Sequence, residues 1–115
     1  MEANIVAICE NEPSIVAAFL FGSYAKGKEK PSSDIDVALL LSETKNIEFS
    51  TLQLAAKLEK TLGNRVDVVI LNSAGELLKF QVRRDGKLIF ERSSKKRKQF
   101  EVKSRKHIGK YMAVG

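Results

Sequence analysis

Two aspartates that stand two positions apart, Asp34 and Asp36, are the residues best suited to chemistry in this sequence of 115 residues. Side chains at positions i and i+2 of a strand project from the same face, so a strand here would hold both carboxylates together. Their repulsion needs relief by protonation or by a bound cation. Mg²⁺ suits such a pair, because it is a hard ion that one or two carboxylates and substrate phosphates can hold.

Gly22 and Ser23 close the apolar run that precedes these aspartates. Gly22 lets the backbone approach a ligand closely, and Ser23 supplies a hydroxyl and an amide at the start of a short helix expected over residues 23–26, which favours an anion. Taken singly, Ser23 and Asp34 are more often turn or capping residues than catalysts. Their order on two apolar strands favours a site for a triphosphate and a metal ion.

A second phosphate-binding pattern overlaps this stretch. Residues 22–28 satisfy seven positions of the loop pattern G-x-x-x-x-G-K-[ST], but the eighth position is Glu29. The pattern therefore lacks its Mg²⁺-binding hydroxyl and has a negative charge where phosphates would lie. We reject a phosphate-binding loop of this type.

The elements that must position these groups follow from the hydrophobic pattern. Apolar runs predict strands at residues 15–21, 34–41, 65–71 and 87–90. Helical spacing predicts helices at 3–9, 47–62 and 74–84, with Gly63 ending the second and Asn72-Ser73 capping the third. The fold class is therefore α/β (α+β), a small mixed β-sheet of about four strands flanked by helices.

The net charge of +6 first suggests a nucleic-acid or acidic-membrane partner. Residues 1–91 hold 11 basic and 13 acidic side chains, however, whereas residues 92–115 hold 9 and 1. The excess lies in the last segment alone. We predict a folded domain over residues 1–91 and a basic C-terminal helix or partly ordered tail over 92–115, in which Phe100, Ile108 and Met112 form a thin apolar stripe.

Other classes of protein are excluded by composition. The longest apolar runs, 15–21 and 37–41, are far shorter than the roughly 20 residues of a membrane span, and the acidic start lacks the basic region of a signal peptide. We expect a cytoplasmic protein with no membrane partner. The single cysteine, Cys9, is expected in the core and excludes an internal disulfide, while the single histidine, His107, excludes most zinc sites.

The spacing of the candidate residues resembles that of a known family. Gly22-Ser23, ten residues, and then Asp34-Ile35-Asp36 resemble the Gly-Ser-x10-Asp-x-Asp signature of the DNA polymerase β nucleotidyltransferase superfamily. The length and the segments at residues 65–74 and 84–92 resemble the MNT group, the minimal nucleotidyltransferases. The resemblance covers about residues 19–92 and implies the nucleotidyltransferase fold.

The resemblance also implies a mechanism. Two Mg²⁺ ions would be held by Asp34, Asp36 and a third carboxylate that maps to Asp67, which would also take the proton of the acceptor hydroxyl. Gly22 and Ser23 would hold the β and γ phosphates of ATP while AMP moves to the acceptor. Lys26 stands where many members have arginine, which keeps the charge but loses a bidentate phosphate contact. The alternative for Asp67 is a structural aspartate bonded to Arg65 or to a loop amide.

The acceptor is implied by the MNT group rather than by the fold. Such proteins are typically encoded beside a small helical HEPN protein, and some are antitoxins that transfer AMP to a tyrosine of that toxin. The alternatives are a binding module that neutralises its partner by occlusion, or transfer to a small molecule or to RNA. RNA would use the basic segment, whose cationic side chains are Arg92, Lys95, Lys96, Arg97, Lys98, Lys103, Arg105, Lys106 and Lys110.

Overall fold

The computed structural model describes residues 1–22, 27, 34–43 and 47–102, with the backbone alone for 47–50. The elements follow in the predicted order: α1 (Glu2–Glu10), β1 (Ile15–Phe21), β2 (Ile35–Leu41), α2 (Ile47–Leu62), β3 (Val66–Ile70), a 3₁₀ turn (Leu71–Ser73), α3 (Glu76–Asp85) and β4 (Lys87–Glu91). Residues 94–102 are also helical and are named α4. The predicted α/β fold class is confirmed.

The four strands form one mixed sheet in the order β3-β2-β1-β4. The central strand β1 is antiparallel to both β2 and β4, whereas β2 and β3 are parallel and are joined through α2. Six of the seven residues of β1 are buried, because its continuous apolar run lies between neighbouring strands and under helices on both faces.

Two apolar clusters cover the two faces of the sheet. On the face named here the α2 face, Ile5 and Ile8 of α1 and Leu54 and Leu58 of α2 pack on the sheet. On the opposite face, named the α3 face, Val82 of α3 packs on the sheet beside the partly buried Leu78 and Phe100. Cys9 is 2% exposed within the first cluster, which confirms its predicted place in the core.

The predicted start of α3 is wrong. Residues 71–73 form the 3₁₀ turn, and α3 begins at Glu76 after Gly75, with no side-chain cap. Asn72 does not cap the helix, because its side chain binds the end of β2 instead. Its amide nitrogen donates to the carbonyl oxygen of Leu41 at 2.8 Å, and its side-chain oxygen accepts from the amide of Leu41 at 2.9 Å. The turn is thereby held to β2.

Arg92 joins the end of β4 to the first helix. Its guanidinium donates to the carbonyl oxygens of Cys9 at 2.9 Å, Glu10 at 3.1 Å and Ile15 at 3.0 Å. These carbonyls lie at the C-terminal end of α1 and the start of β1, where a cation is favoured by the helix dipole. The guanidinium also lies 5.2 Å from the ring centre of Phe90.

The first two turns of the basic segment beyond Arg92 are folded onto the protein. The Ser93 hydroxyl accepts from the amide of Lys96 at 3.2 Å and begins α4. Phe100 then packs on the α3 face, a location that its spacing in the sequence did not determine. Ile108 and Met112, the other members of that stripe, lie outside the described residues. The boundary at Glu91 between a domain and a tail stays a prediction.

Candidate active site

The pairing of β2 with β3 brings two of the predicted carboxylates together. In the parallel register Ile35 is the partner of Val66 and Asp36 is the partner of Asp67. Partner residues in neighbouring strands point to the same side of the sheet and lie one strand spacing apart, about 4.8 Å. Asp36 and Asp67 therefore project side by side, although they come from distant parts of the chain.

The alternation of burial shows which face carries them. Along β2, Ile35 and Val37 belong to the cluster on the α2 face, while Ala38 and Leu40 belong to the cluster on the α3 face. Asp36 shares the second set, so its carboxylate is on the α3 face. Asp67 follows Val66, which packs on the α2 face, and therefore also lies on the α3 face.

The electrostatics of Asp36 place the third carboxylate nearby. Burial raises the pKa of Asp36 above its ordinary value, and the charges of Asp67 and Asp34 raise it further. Asp36 is half-buried, whereas Asp34 and Asp67 are exposed. The three carboxylates thus share a region of negative potential, which is the arrangement expected where a cationic ligand binds.

Gly22 lies directly against this cluster. It follows β1, whose last residue Phe21 is the partner of Asp36, and it has a φ of 71°. A Cβ at this position would overlap the Oδ2 atom of Asp36. Gly22 is therefore required for two reasons, the left-handed backbone and the space taken by the carboxylate. The structure therefore places Gly22 beside Asp36, as the sequence led us to expect.

The carboxylates are of the chemical type that binds Mg²⁺, but among the described residues the number of converging side chains is smaller than in a complete metal site. The carboxylates supply hard oxygen ligands, and the pKa of Asp36 is raised first by burial and then by the negative charges of Asp67 and Asp34, which a cation would neutralise. In the described part of the chain, however, no three acidic, histidine or cysteine side chains converge as a group that could hold a metal ion. This is consistent with Mg²⁺, which needs one or two carboxylates when substrate phosphates complete its shell.

Arg65 does not neutralise the site. Its carbonyl oxygen accepts from the amide of Ile35 at 2.9 Å, but among the described residues its guanidinium forms no ion pair with Asp34 or Asp67. The alternative in which Asp67 is a structural aspartate bonded to Arg65 therefore has no support in these contacts. Ser23 and Lys26, the other predicted phosphate ligands, lie outside the described residues.

Two arginines of the basic segment are engaged within the protein. Arg92 binds the carbonyls at the end of α1, and Arg97 binds Glu91 at 2.7 Å and Glu101 at 2.8 Å. Neither role was expected from the sequence, in which both residues were candidates for phosphate contacts. A single arginine carries no sequence signal for distant backbone carbonyls, although the i, i+4 spacing to Glu101 favours that ion pair.

No helix within the described ranges combines the length and apolar character needed to cross a bilayer.

Comparisons with known proteins agree with the geometry. The family described as "Polymerase beta, Nucleotidyltransferase" matches residues 3–95. A protein adenylyltransferase named MntA from Shewanella oneidensis is 38% identical over 81 residues, which are 70% of this chain and 58% of the relative. A protein of the same name from Aphanizomenon flos-aquae is 34% identical over 88 residues, 69% of this chain and 59% of the relative. This chain spans less than two thirds of the length of either.

Solved structures show the same fold. One, described as a toxin-antitoxin with AMP-PNP, superposes with a TM-score of 0.85 at 33% sequence identity. The match covers 98% of this chain and 90% of the solved chain. Another is described as tri-AMPylated Shewanella oneidensis HEPN toxin in complex with MNT antitoxin. Its TM-score is 0.77 at 32% sequence identity, and the match covers 98% of this chain and 87% of the solved chain.

Proposed function

This chain belongs to the polymerase β nucleotidyltransferase family, and from that premise we propose that it is a protein adenylyltransferase that moves AMP from ATP to a hydroxyl of a HEPN-type toxin partner. It would act in the cytoplasm as the antitoxin of that pair. The observation that carries the proposal is the register of Asp36 with Asp67 beside Gly22 on the α3 face. The names of the MntA relatives and of the toxin-antitoxin complexes support the choice of AMP and of partner.

Asp34, Asp36 and Asp67 would hold two Mg²⁺ ions, which supply charge neutralisation for the phosphates and lower the pKa of the acceptor hydroxyl. The chain's own residues divide the remaining work. By resemblance to the family, Gly22 and Ser23 would hold the β and γ phosphates, and Lys26 would add a phosphate contact. The absent side chain of Gly22 leaves room for the carboxylate of Asp36. Asp67 is the more exposed member of the pair with Asp36, so it is accessible to an acceptor that arrives from solvent.

The transfer itself is a displacement at the α-phosphorus. The acceptor oxygen forms a bond to that phosphorus, and the bond from the phosphorus to the bridging oxygen breaks, so that pyrophosphate leaves. The carboxylate of Asp67 takes the proton of the hydroxyl. The transferred group is positioned and its charge is neutralised by fixed groups, as in other phosphoryl transfers.

A labelled-ATP assay tests the proposal. The purified chain is mixed with its HEPN-type partner, Mg²⁺ and ATP labelled at the α phosphate, and label on the partner is measured for the wild type, Asp36→Asn and Asp67→Asn. We expect transfer by the wild type and by neither of the two aspartate variants. Glu43→Gln is the matched control, because it removes an exposed carboxylate from the other end of β2. Inhibition of the toxin without label would instead support neutralisation by occlusion.

A further inference from the structure

The outer edge of β3 lies next to Asp67 and carries backbone groups that pair with no other strand in the described residues. The amide of Ile35 donates to the carbonyl oxygen of Arg65, so residues 65, 67 and 69 direct their backbone groups toward β2. The alternate residues, Val66, Val68 and Ile70, direct theirs away from the sheet. Within the described part of the chain β3 pairs with β2 only.

Two of these outward groups are already bound, and one is the carbonyl oxygen of Ile70, which accepts from the Ser73 hydroxyl at 3.5 Å. The amide of Val66 donates to the Oε1 atom of Glu59 at 3.1 Å, which occupies the position that the carbonyl of an added strand would take. Beyond this point the edge is open at the amides of Val68 and Ile70. The free part of the edge therefore begins one residue after Asp67.

The two edges of the sheet differ in protection. β4 carries a charged residue at each end, and its register with β1 is irregular between the partners of Ala18 and Phe19. Charges and bulges of this kind discourage pairing with another strand. β3 pairs with β2 in an unbroken register and has neither proline nor lysine. Its edge is thus the one suited to accept a further strand.

We propose that the outer edge of β3 binds an extended segment of the protein partner as a fifth strand, and that this segment carries the hydroxyl side chain that receives the nucleotide. The inference rests on the proposed function. An added strand continues the alternation of the sheet, so its residue beside Asp67 points to the α3 face, where the carboxylates are. One strand spacing of about 4.8 Å separates the two backbones, a distance that a tyrosine side chain spans.

A partner segment fits this edge better than a second copy of the chain does. Pairing of β3 with another β3 would bring two sets of carboxylates together, each with Asp34, Asp36 and Asp67. Like charges on neighbouring strands are destabilising. A segment whose side chain beside Asp67 is an uncharged hydroxyl has no such cost, and its backbone supplies hydrogen bonds to Val68 and Ile70.

Amide exchange measured by NMR tests the strand directly. Exchange rates are compared between the free chain and its complex with the HEPN-type partner. We expect the amides of Val68 and Ile70 to slow by at least tenfold in the complex, while the inward amides of Asp67 and Val69 are protected in both states. Unchanged exchange at Val68 and Ile70 in a complex that forms and is adenylylated would overturn the inference and leave the proposed function intact.

A pair of variants at Val68 gives a kinetic test. Val68→Pro removes the outward N–H, a change that edge strands tolerate, whereas Val68→Ala shortens the side chain and keeps the N–H. We expect Val68→Pro to raise the KM for the partner protein at least tenfold relative to Val68→Ala, with the KM for ATP unchanged. Equal KM values for the partner would contradict the added strand, and the exchange measurement decides the question if Val68→Pro does not fold.

Absence of transfer by the wild type would instead refute the proposed function, and the inference with it.

Discussion

Asp36 and Asp67 are partners in the parallel pairing of β2 with β3, and the backbone of Gly22 lies against the carboxylate of Asp36. Neither contact is local in sequence. The site is assembled from the start of β2, the edge strand β3 and Gly22 with its positive φ. Its negative charge therefore lies on the sheet rather than in a loop. This arrangement lowers the stability of the fold by amounts that can be measured.

Asp36→Asn should abolish adenylyl transfer and stabilise the fold. The folded-state pKa of Asp36 is raised above its ordinary value of 3.8, so the group favours folding below about that pH and loses this contribution as pH rises through its folded pKa. The ionised side chain is therefore destabilising at neutral pH. Urea unfolding should show a higher free energy of unfolding for the variant at pH 7 and a smaller difference near pH 3. A variant less stable than the wild type at pH 7 would contradict the electrostatic account.

Gly22→Ala should lose activity and stability, and Gly63→Ala is its matched control. Both glycines have a φ of 71°, but a Cβ at Gly22 would overlap Asp36 whereas a Cβ at Gly63 has open space. The backbone conformation alone costs about 1–2 kcal/mol for a residue other than glycine. We expect Gly63→Ala to show that loss alone in thermal unfolding, and Gly22→Ala to show a larger one together with loss of transfer. Equal effects of both substitutions would mean that the Asp36 carboxylate simply moves aside.

Arg92→Ala should destabilise the protein by about 2–3 kcal/mol, because carbonyls at the end of α1 and at the start of β1 lose a charged donor. Arg92→Lys should recover only part of this stability, since lysine keeps the charge without the planar fork. Lys95→Ala, at an exposed position in the same segment, should be nearly neutral. Free energies of unfolding in urea separate the three. If Arg92→Ala and Lys95→Ala behave alike, the contacts of Arg92 add nothing.

Cys9 should make the fold sensitive to alkali. Burial raises the pKa of its thiol from 9.0 to about 11, while Arg92 opposes the shift and the charges of Glu10 and Glu12 add to it. The thiol therefore stabilises the fold fully below pH 9.0 and loses this contribution as pH rises toward about 11. Urea unfolding at intervals across this window should show a steeper decline for the wild type than for Cys9→Ala. Parallel curves would show that the thiol does not contribute, because lysine titration is common to both proteins.

Local sequence patterns were sufficient to predict most of the fold. The bounds of β1 and α2 were predicted to the residue, because one is an uninterrupted apolar run and the other a helical stripe that ends at Gly63 with a positive φ. The start of α3 was wrong because Asn72 has a distant partner, Leu41, that competes with local capping. A sequence window contains no information about such a partner.

Only part of the candidate site could be predicted, because some of its contacts follow from local spacing and others depend on distant parts of the chain. The spacing of Gly22, Asp34 and Asp36 indicates their proximity, since a single hairpin joins them. Asp67 was added by resemblance alone, because the register between two parallel strands depends on how α2 packs. The carbonyl contacts of Arg92 and the bond between Glu59 and Val66 depend on tertiary structure and had no signal in the sequence.

The bonds from Arg92 to the end of α1 also affect the order of events during synthesis. The ribosome releases α1 and β1 before β4, so β1 gains its second neighbour only when β4 emerges. The carbonyls of Cys9 and Glu10 gain their donor only with Arg92. Until then one edge of the most apolar strand is unpaired and prone to aggregation. Nascent chains that end before β4 therefore lack both the second neighbour of β1 and the donor for the carbonyls at the end of α1.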